Sequence, residues 1–261
     1  MSWAPERIVC LTEETVETLY LLGEERRIVG VSGYAVRPPR VRREKPRVSA
    51  FISADVAKIL ALKPDLVLTF SDLQADIVRD LVKAGAAVHA FNQRDIAGIL
   101  AMIRTLGALV DCAARAAALA DTLARRLDEV GAAAGRAAHR PRVYFEEWDE
   151  PMICGIRWVS ELIDIAGGID VFAERARAPA ATGRIVGAGD VIAGGPDVIV
   201  GSWCGKKFVP ARVAARPGFD AVPAVRRQAL YEIKSPVILQ PGPAALTDGL
   251  NRLRAIIGGA G

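Results

Sequence analysis

The sequence predicts an α/β fold in which two lobes, each built on a parallel β-sheet, are joined by a single long backbone helix. Three observations lead to this prediction. Short apolar strands alternate with amphipathic helices in both halves, the middle of the chain has a long run of helical periodicity, and one short pattern occurs once in each half. We assign residues 1–110 to the first lobe, 111–139 to the linking helix and 140–261 to the second lobe.

The first lobe begins with a short β-rich run at residues 7–11, and Gly23 ends the helix that follows it. A loop rich in proline and arginine, residues 37–47, separates two extended segments. The remaining elements are predicted as helices at residues 13–22, 54–62, 75–84 and 96–106 and as strands at residues 28–31, 66–70 and 88–91, with a short extended piece at Val48.

The linking helix is predicted over residues 111–138. Its apolar residues recur at steps of three and four, which places them on one face of a helix. At 1.5 Å per residue such a helix is on the order of 40 Å long, about the width of a small domain, and Pro141 prevents its continuation. The apolar positions are Cys112, Ala116, Leu119, Leu123, Leu127 and Val130.

The second lobe repeats the alternation of strands and helices. ILALKPDLVL at residues 59–68 is echoed by VIAGGPDVIV at 191–200, and both segments predict a helix, a Pro-Asp turn and a buried strand. Two related lobes therefore explain the sequence better than the alternative, a crossover helix inside one doubly wound sheet. The elements are predicted as strands at residues 142–146, 169–172, 198–201 and 230–233 and as helices at 158–166, 189–193 and 244–257.

Composition limits the possible classes of function. Of the 261 residues 51% are hydrophobic and 25% charged, and the mean hydropathy is +0.24, which is typical of a soluble globular protein. The net charge is +4 and the pI is about 9.0, but the basic residues are scattered. Prolines interrupt the one basic cluster, at residues 37–47, so we expect a solvated loop there and no nucleic-acid partner.

Targeting signals are not evident in the sequence. The N-terminus has no basic segment followed by an apolar core, and no window approaches about 18 apolar residues. The four cysteines lack CxxC spacing, so we expect free thiols in a reducing compartment. We therefore predict a cytoplasmic protein. The alternative is a periplasmic protein whose signal has been removed, since its sequence would look the same.

The residues that follow the predicted strands are the candidates for binding a ligand. In open parallel sheets ligands bind beyond the carboxyl ends of the strands, and aromatic side chains there offer large, rigid contact faces. We expect a pocket for a bulky planar ligand in the cleft between the lobes, although each aromatic ring has the alternative of packing at the lobe interface. The candidate ligand-binding residues are Glu13, Glu14, Tyr34, Phe51, Phe70, Trp148, Trp158, Arg184 and Trp203.

No set of nucleophile and base is evident in the sequence. The acidic segment 146–150 has no companion histidine, and we interpret it as a solvated loop beside the cleft. We predict no catalytic residue, no metal ligand and no resident cofactor. A hydrolase-type enzyme that uses Glu146, Glu147 or Cys204 is the rival from another class, and an interaction module without a cleft is a third possibility.

With these residues in place, the chain resembles the helical-backbone (class III) substrate-binding proteins of ABC importers, which bind cobalamin or ferric siderophores. It is most similar to the cobalamin-binding branch. Members have two Rossmann-like lobes joined by one long helix. The resemblance covers nearly the whole chain and rests on RIVCLTEETVETLYLLG at 7–23, IVGVSGY at 28–34, ILALKPDLVL at 59–68, GIRWVSELIDIAGG at 155–168 and PDVIV at 196–200.

The resemblance implies that the ligand is a corrinoid or another metal chelate, held by aromatic residues at or near Tyr34, Phe51, Phe70 and Trp148. Such a ligand carries its own metal, so the protein needs no cofactor. We therefore expect a non-enzymatic, monomeric binding protein for cobalamin or another corrinoid. The alternative is the periplasmic substrate-binding component of an ABC importer for a ferric siderophore or cobalamin.

The resemblance also bears on transport. Family members carry a glutamate about seven residues before the proline of each repeated turn, and these acids dock onto arginines of the permease. Here Ala57 and Gly189 occupy the two positions, while Asp55 and Asp190 lie close by with shorter side chains. We predict that docking to an ABC permease is weakened and that the protein handles or senses its ligand apart from an importer.

Overall fold

The computed structural model describes residues 4–136 and 139–259 of the chain. The chain divides into two compact units. The first comprises the residues up to Gln93 together with Ala97–Leu123, and the second comprises Arg94–Ile96 together with the residues from Ala124 onward. The predicted α/β fold of two lobes and one long helix is confirmed.

The first lobe contains a parallel sheet whose strand order is β3-β2-β1-β4-β5. All of its strands run in the same direction, so their carboxyl ends meet at one edge. The strands are β1 (Ile8–Cys10), β2 (Ile28–Ser32), β3 (Arg47–Ser49), β4 (Leu66–Phe70) and β5 (Val88–Phe91). The helices are α1 (Glu13–Leu21), α2 (Val41–Glu44), α3 (Val56–Ala61), α4 (Ala75–Lys83) and α5 (Ile96–Leu109).

The long helix α6 extends over Ala113–Ala134. It begins two residues later than predicted because Asp111 adopts a positive φ of 58°, which a helix does not tolerate. The predicted end at residues 137–138 lies outside the described residues. Of the six apolar positions predicted for this segment, five are buried and Leu119 is only partly buried. The buried ones are Cys112, Ala116, Leu123, Leu127 and Val130.

The second lobe has a mixed sheet, in which β6 pairs with β9 in parallel and with β7 in antiparallel orientation. The predicted purely parallel sheet is corrected at this edge. Because β7 pairs with its far end, β6 continues to Asp149, and most of the acidic segment predicted as a loop is strand. The strands are β6 (Arg142–Asp149), β7 (Met152–Cys154), β8 (Ile169–Asp170), β9 (Val198–Gly201) and β10 (Leu230–Glu232).

Short helices cover the second sheet, and the predicted closing helix begins with a π-helical turn at Ala245–Gly249. Large apolar side chains such as Phe208 and Phe219 fill the core beneath them. None of the helices in the described part of the chain combines the length and the apolar character that crossing a lipid bilayer requires. The helices are α7 (Arg157–Ile165), α8 (Ala173–Ala176), α9 (Ala188–Gly194), α10 (Pro210–Ala214), α11 (Pro223–Arg226), α12 (Ser235–Ile238) and α13 (Leu250–Gly258).

The repeated Pro-Asp segments form the same turn in both lobes. The Asp65 carboxylate accepts hydrogen bonds from the backbone N–H groups of Glu6 and Arg7, at 2.8 and 2.9 Å, just before β1. In the second lobe the Asp197 carboxylate accepts from the N–H of Arg142 at 3.0 Å, at the start of β6. Each aspartate thus fastens the turn to the first strand of its own lobe, which explains why the pattern occurs twice.

Candidate functional site

Aromatic side chains follow the carboxyl ends of the first lobe's strands. Tyr34, just after β2, is 50% exposed, and Phe51, after β3, is partly exposed. Phe70 is the last residue of β4 and is buried. The predicted aromatic residues of this lobe therefore lie at one edge of the sheet, where Tyr34 and Phe51 present surface that a ligand can contact.

Gln74 ties three of these strand ends together. Its side-chain amide donates to the carbonyl oxygens of Phe51 at 2.8 Å and Leu11 at 3.3 Å, and its Oε1 accepts from the N–H of Phe70 at 3.0 Å. The side chain is fully buried, so these bonds are made away from water and hold the Phe51 loop against β1 and β4. The sequence analysis missed this residue because a lone glutamine between a predicted strand and a predicted helix carries no pattern.

Glu13 and Glu14 form the first turn of α1, directly after β1, and both are buried. The Thr12 hydroxyl donates to Oε1 of Glu14 at 2.6 Å, whereas Oε2 of each glutamate has no hydrogen-bond partner among the described residues. Burial raises the pKa of Glu13 to about 7 and that of Glu14 to about 8. Near neutral pH Glu14 is therefore largely protonated and Glu13 is partly protonated, and a protonated carboxyl is a hydrogen-bond donor.

In the second lobe Trp148 lies near the carboxyl end of β6 and is partly exposed. Its indole N–H donates to the carbonyl oxygen of Glu150 at 2.9 Å, which fixes the ring. The ammonium group of Lys206 lies 3.8 Å from the centroid of this ring. The Lys206 ammonium also forms an ion pair with the Asp149 carboxylate, and the Arg212 guanidinium lies 3.6 Å from the other oxygen of that carboxylate.

Trp203 and Glu146 belong to a buried network at the end of β9. Trp203 is only 2% exposed, and its indole N–H donates to Oε1 of Glu146 at 2.9 Å. Glu146 also accepts from the Tyr144 hydroxyl at 2.9 Å and from Nη2 of Arg216 at 2.9 Å. These bonds compensate the burial of the Glu146 charge, so the network stabilises the lobe's core.

Trp158 and Arg184 are also buried. The Trp158 indole N–H donates to the carbonyl oxygen of Ile238 at 2.9 Å. Arg184 pairs with the Glu147 carboxylate, with one nitrogen–oxygen distance of 3.2 Å, and donates to the carbonyl oxygen of Cys154 at 2.7 Å. The structure thus places Trp158, Arg184 and Trp203 inside the second lobe, and their predicted contact with a ligand stays a prediction.

We next consider whether the described residues offer metal ligands or nucleophiles at these strand ends. Over residues 4–136 and 139–259, no group of three or more histidine, cysteine, aspartate and glutamate side chains could hold a metal ion. Cys10 and Cys154 are buried, and burial raises the pKa of each thiol to about 12, so they are weak nucleophiles at neutral pH. The aromatic rings and carboxyl groups described above can make apolar contacts and hydrogen bonds.

Comparison with known proteins finds similar sequences and similar solved structures among binding proteins. A cobalamin-binding protein of Halobacterium salinarum is 30% identical over 65% of this chain, and the alignment spans only 47% of that protein's length. Among solved structures, the periplasmic heme-binding protein RhuT of Roseiflexus sp. RS-1 has a TM-score of 0.82 at 23% identity, with 97% of this chain and 99% of that one covered. The periplasmic vitamin B12-binding protein BtuF of Vibrio cholerae has a TM-score of 0.78 at 22% identity, with 98% of both chains covered.

At this identity the two structures establish the fold alone. The family is established by a sequence model described as periplasmic binding protein, which matches residues 8–237 and thus most of both lobes. The chain belongs to the periplasmic binding protein family.

Proposed function

We propose that this protein captures a bulky metal chelate, with a corrinoid such as cobalamin as the first candidate, and delivers it to an ABC importer. The observation that carries the proposal is the set of partly exposed aromatic rings at the carboxyl ends of the strands: Tyr34 and Phe51 in the first lobe and Trp148 in the second. Such rings bind flat apolar surfaces at low entropic cost. The cobalamin- and B12-binding relatives support the corrinoid. The metal of such a ligand belongs to the cargo.

A binding role accounts for the buried acidic residues better than hydrolysis does. A general base must come within hydrogen-bond reach of a substrate proton. Glu146 is fully buried and already accepts from Tyr144, Trp203 and Arg216, and Glu147 is paired with Arg184. These contacts, together with relatives that are binding proteins, favour a protein without catalytic activity.

We further infer that the protein acts outside the cytoplasmic membrane. The two solved structures named above belong to periplasmic proteins, and the family description carries the same location. The cytoplasmic location expected from the sequence has no support among these relatives, so we adopt the periplasmic alternative.

Delivery to a permease remains part of the proposal, and the two docking glutamates implied by the resemblance are absent. Asp55, the nearby acid in the first lobe, caps α3 by accepting from the N–H of Lys58 at 2.9 Å. Asp190 accepts from the N–H of Gly187 at 2.9 Å and lies 3.2 Å from the Arg175 guanidinium. Both aspartates are engaged locally, so we expect the delivery step to depend on other contacts.

Isothermal titration calorimetry with cyanocobalamin, hemin and a ferric hydroxamate chelate tests the proposal. We expect cyanocobalamin to bind one per chain with a Kd of about 1 μM or lower. Tyr34→Ala and Trp148→Ala should each weaken binding about tenfold, since each removes an aromatic contact. Tyr231→Ala is the control, because it removes an exposed ring within β10 that is not among the candidate ligand-binding residues. Failure of cyanocobalamin to saturate the protein at concentrations well above that Kd would reject the corrinoid, and tighter binding of the ferric chelate would select the siderophore.

A further inference from the structure

The turn that follows β9 places a positive charge on a ring proposed to bind the ligand. Residues 204–207 are exposed, and Gly205 gives the turn its positive φ of 75°. From this turn the Lys206 ammonium lies 3.8 Å from the centroid of Trp148 and 5.5 Å from that of Trp203. One face of Trp148 is therefore covered by a cation–π contact made within the protein itself.

The contacts that hold the Lys206 side chain over the Trp148 ring are readily exchanged. The Lys206 side chain is 36% exposed, so water competes for its ammonium group. Its partner Asp149 also lies 3.6 Å from the Arg212 guanidinium, so the buried carboxylate keeps a cation when Lys206 leaves. Trp148, in contrast, is fixed by its own hydrogen bond to the carbonyl oxygen of Glu150. Displacement of Lys206 thus leaves the ring in place with a free face.

The charges around Trp148 favour a particular ligand chemistry. Lys206 and Arg212 share one carboxylate, that of Asp149, while the neighbouring Glu147 and Glu146 are paired with Arg184 and Arg216. When a flat ligand takes the ring face, the displaced ammonium remains tethered within one side-chain length of the ligand's rim. Because Arg212 still lies against Asp149, the displaced ammonium is available to an oxyanion.

We propose that Lys206 is a specificity-determining residue: it covers Trp148 in the free protein, is displaced by a flat chelate, and then pairs with an oxyanion at the rim of that chelate. The proposal rests on the function proposed above. The oxyanion is a phosphodiester, as in the nucleotide loop of a cobalamin, or a carboxylate, as on a porphyrin. A flat chelate without such a group has to displace Lys206 without gaining the ion pair, so it is selected against.

The test measures how Lys206→Met changes the affinity for matched ligands. One pair is cyanocobalamin and dicyanocobinamide, which lacks the phosphodiester, and the other is iron protoporphyrin IX and its dimethyl ester, which lacks the carboxylates. We expect the substitution to weaken binding of the oxyanion-bearing member of at least one pair about tenfold and to leave its partner unchanged or tighter. The pair that responds identifies the source of the oxyanion. Lys207→Met, in the same exposed turn, is the control and should change no affinity by more than about twofold.

A second readout needs no ligand. If Lys206 covers Trp148, Lys206→Met should shift the indole N–H resonance of Trp148 in the free protein, and Lys207→Met should not. Equal losses of affinity for both members of each pair, or no loss for any ligand, would overturn the assignment of Lys206 while leaving the proposed function intact. If the wild-type protein binds none of the four chelates, neither a corrinoid nor a porphyrin is its ligand, and the role of Lys206 fails with them, while the ferric chelate used in the calorimetry still tests the broader function.

Discussion

Glu13 and Glu14 are two carboxyl groups that the fold keeps from water in the first turn of α1. Because burial raises both pKa values above the ordinary value near 4.5, the folded protein binds more protons than the unfolded chain between about pH 4.5 and about pH 8. Their contribution to stability is therefore most favourable below pH 4.5. It declines as pH rises and is lost above about pH 8.

Glu14→Gln should remove much of this pH dependence, since the amide is of similar size and cannot ionise. We expect the wild-type free energy of unfolding to fall by at least about 1 kcal/mol between pH 5 and pH 9 from this pair, and the variant to lose less. Urea unfolding at the two pH values provides the measurement. Glu6→Gln, which removes an exposed carboxyl group, is the control and should behave as the wild type. A wild-type stability that is equal at both pH values would contradict the prediction.

The sequence identified candidate residues at the strand ends, but it did not show how exposed their side chains are. Tyr34 and Trp148 are accessible, as a ligand-binding role requires, whereas Trp203 and Arg184 are buried. The hydrogen bond between the Trp203 indole and Glu146 forms because β6 and β9 are adjacent strands, with Glu146 in register with Gly201. Pairing between strands that are distant in the chain is not visible in the local sequence pattern, so the burial of Trp203 could not be predicted from the sequence.

At the scale of elements, the repeated turn shows how two sequences adopt one backbone. Lys63 and Gly195 precede the Pro-Asp pair in the two lobes and have φ values of 48° and 49°. This left-handed conformation is natural for glycine but costs a residue with a side chain about 1 kcal/mol. Lys63 therefore bears a backbone strain that its counterpart avoids.

Gly195→Lys should lower the free energy of unfolding by about 1 kcal/mol, because the side chain adds the cost of the positive φ without any clash. No atom lies within 4 Å of a Cβ built on Gly195. Gly258→Lys is the matched control, since a Cβ there is equally unobstructed and the residue is helical. Denaturant unfolding of both variants provides the comparison, and equal losses would refute the assignment of the cost to the backbone. Lys63→Gly should change stability by less than about 1 kcal/mol, since relief of strain is offset by the entropy of the unfolded chain.

Elements with a strong apolar pattern were predicted to the residue, and those fixed by pairing were not. β4, β5 and β9 have the predicted bounds because their apolar runs end at polar residues or glycine. β7 was missed, since Met152–Cys154 is too short for a period to appear and exists because β6 offers it an edge. The π-helical start at Ala245–Gly249 likewise has no signal in the sequence.

At the scale of the whole molecule, the two lobes share a plan although each sheet is built differently. β1 and β6 are the first strands of their lobes, and each pairs in parallel with the strand that follows the repeated turn, β4 or β9. The short helices before these turns, α3 and α9, are therefore equivalent. Ala57 and Gly189 are the second residues of the two helices, and both are exposed.

The double variant Ala57→Glu with Gly189→Glu should gain affinity for the permease of a cobalamin importer, provided that this permease carries the docking arginines that the resemblance implies. A glutamate in the first turn is favourable for a helix, and a Cβ on Gly189 meets no atom within 4 Å, so both lobes should keep their folds. The measurement uses the importer reconstituted without its own binding protein. We expect the ligand-loaded variant to stimulate the ATPase activity of this importer with an apparent affinity about tenfold higher than that of the wild type. The control is the double glutamine variant, which has the same size without charge and should match the wild type. Strong stimulation by the wild-type protein that is abolished by Asp55→Ala with Asp190→Ala would instead assign docking to the native aspartates.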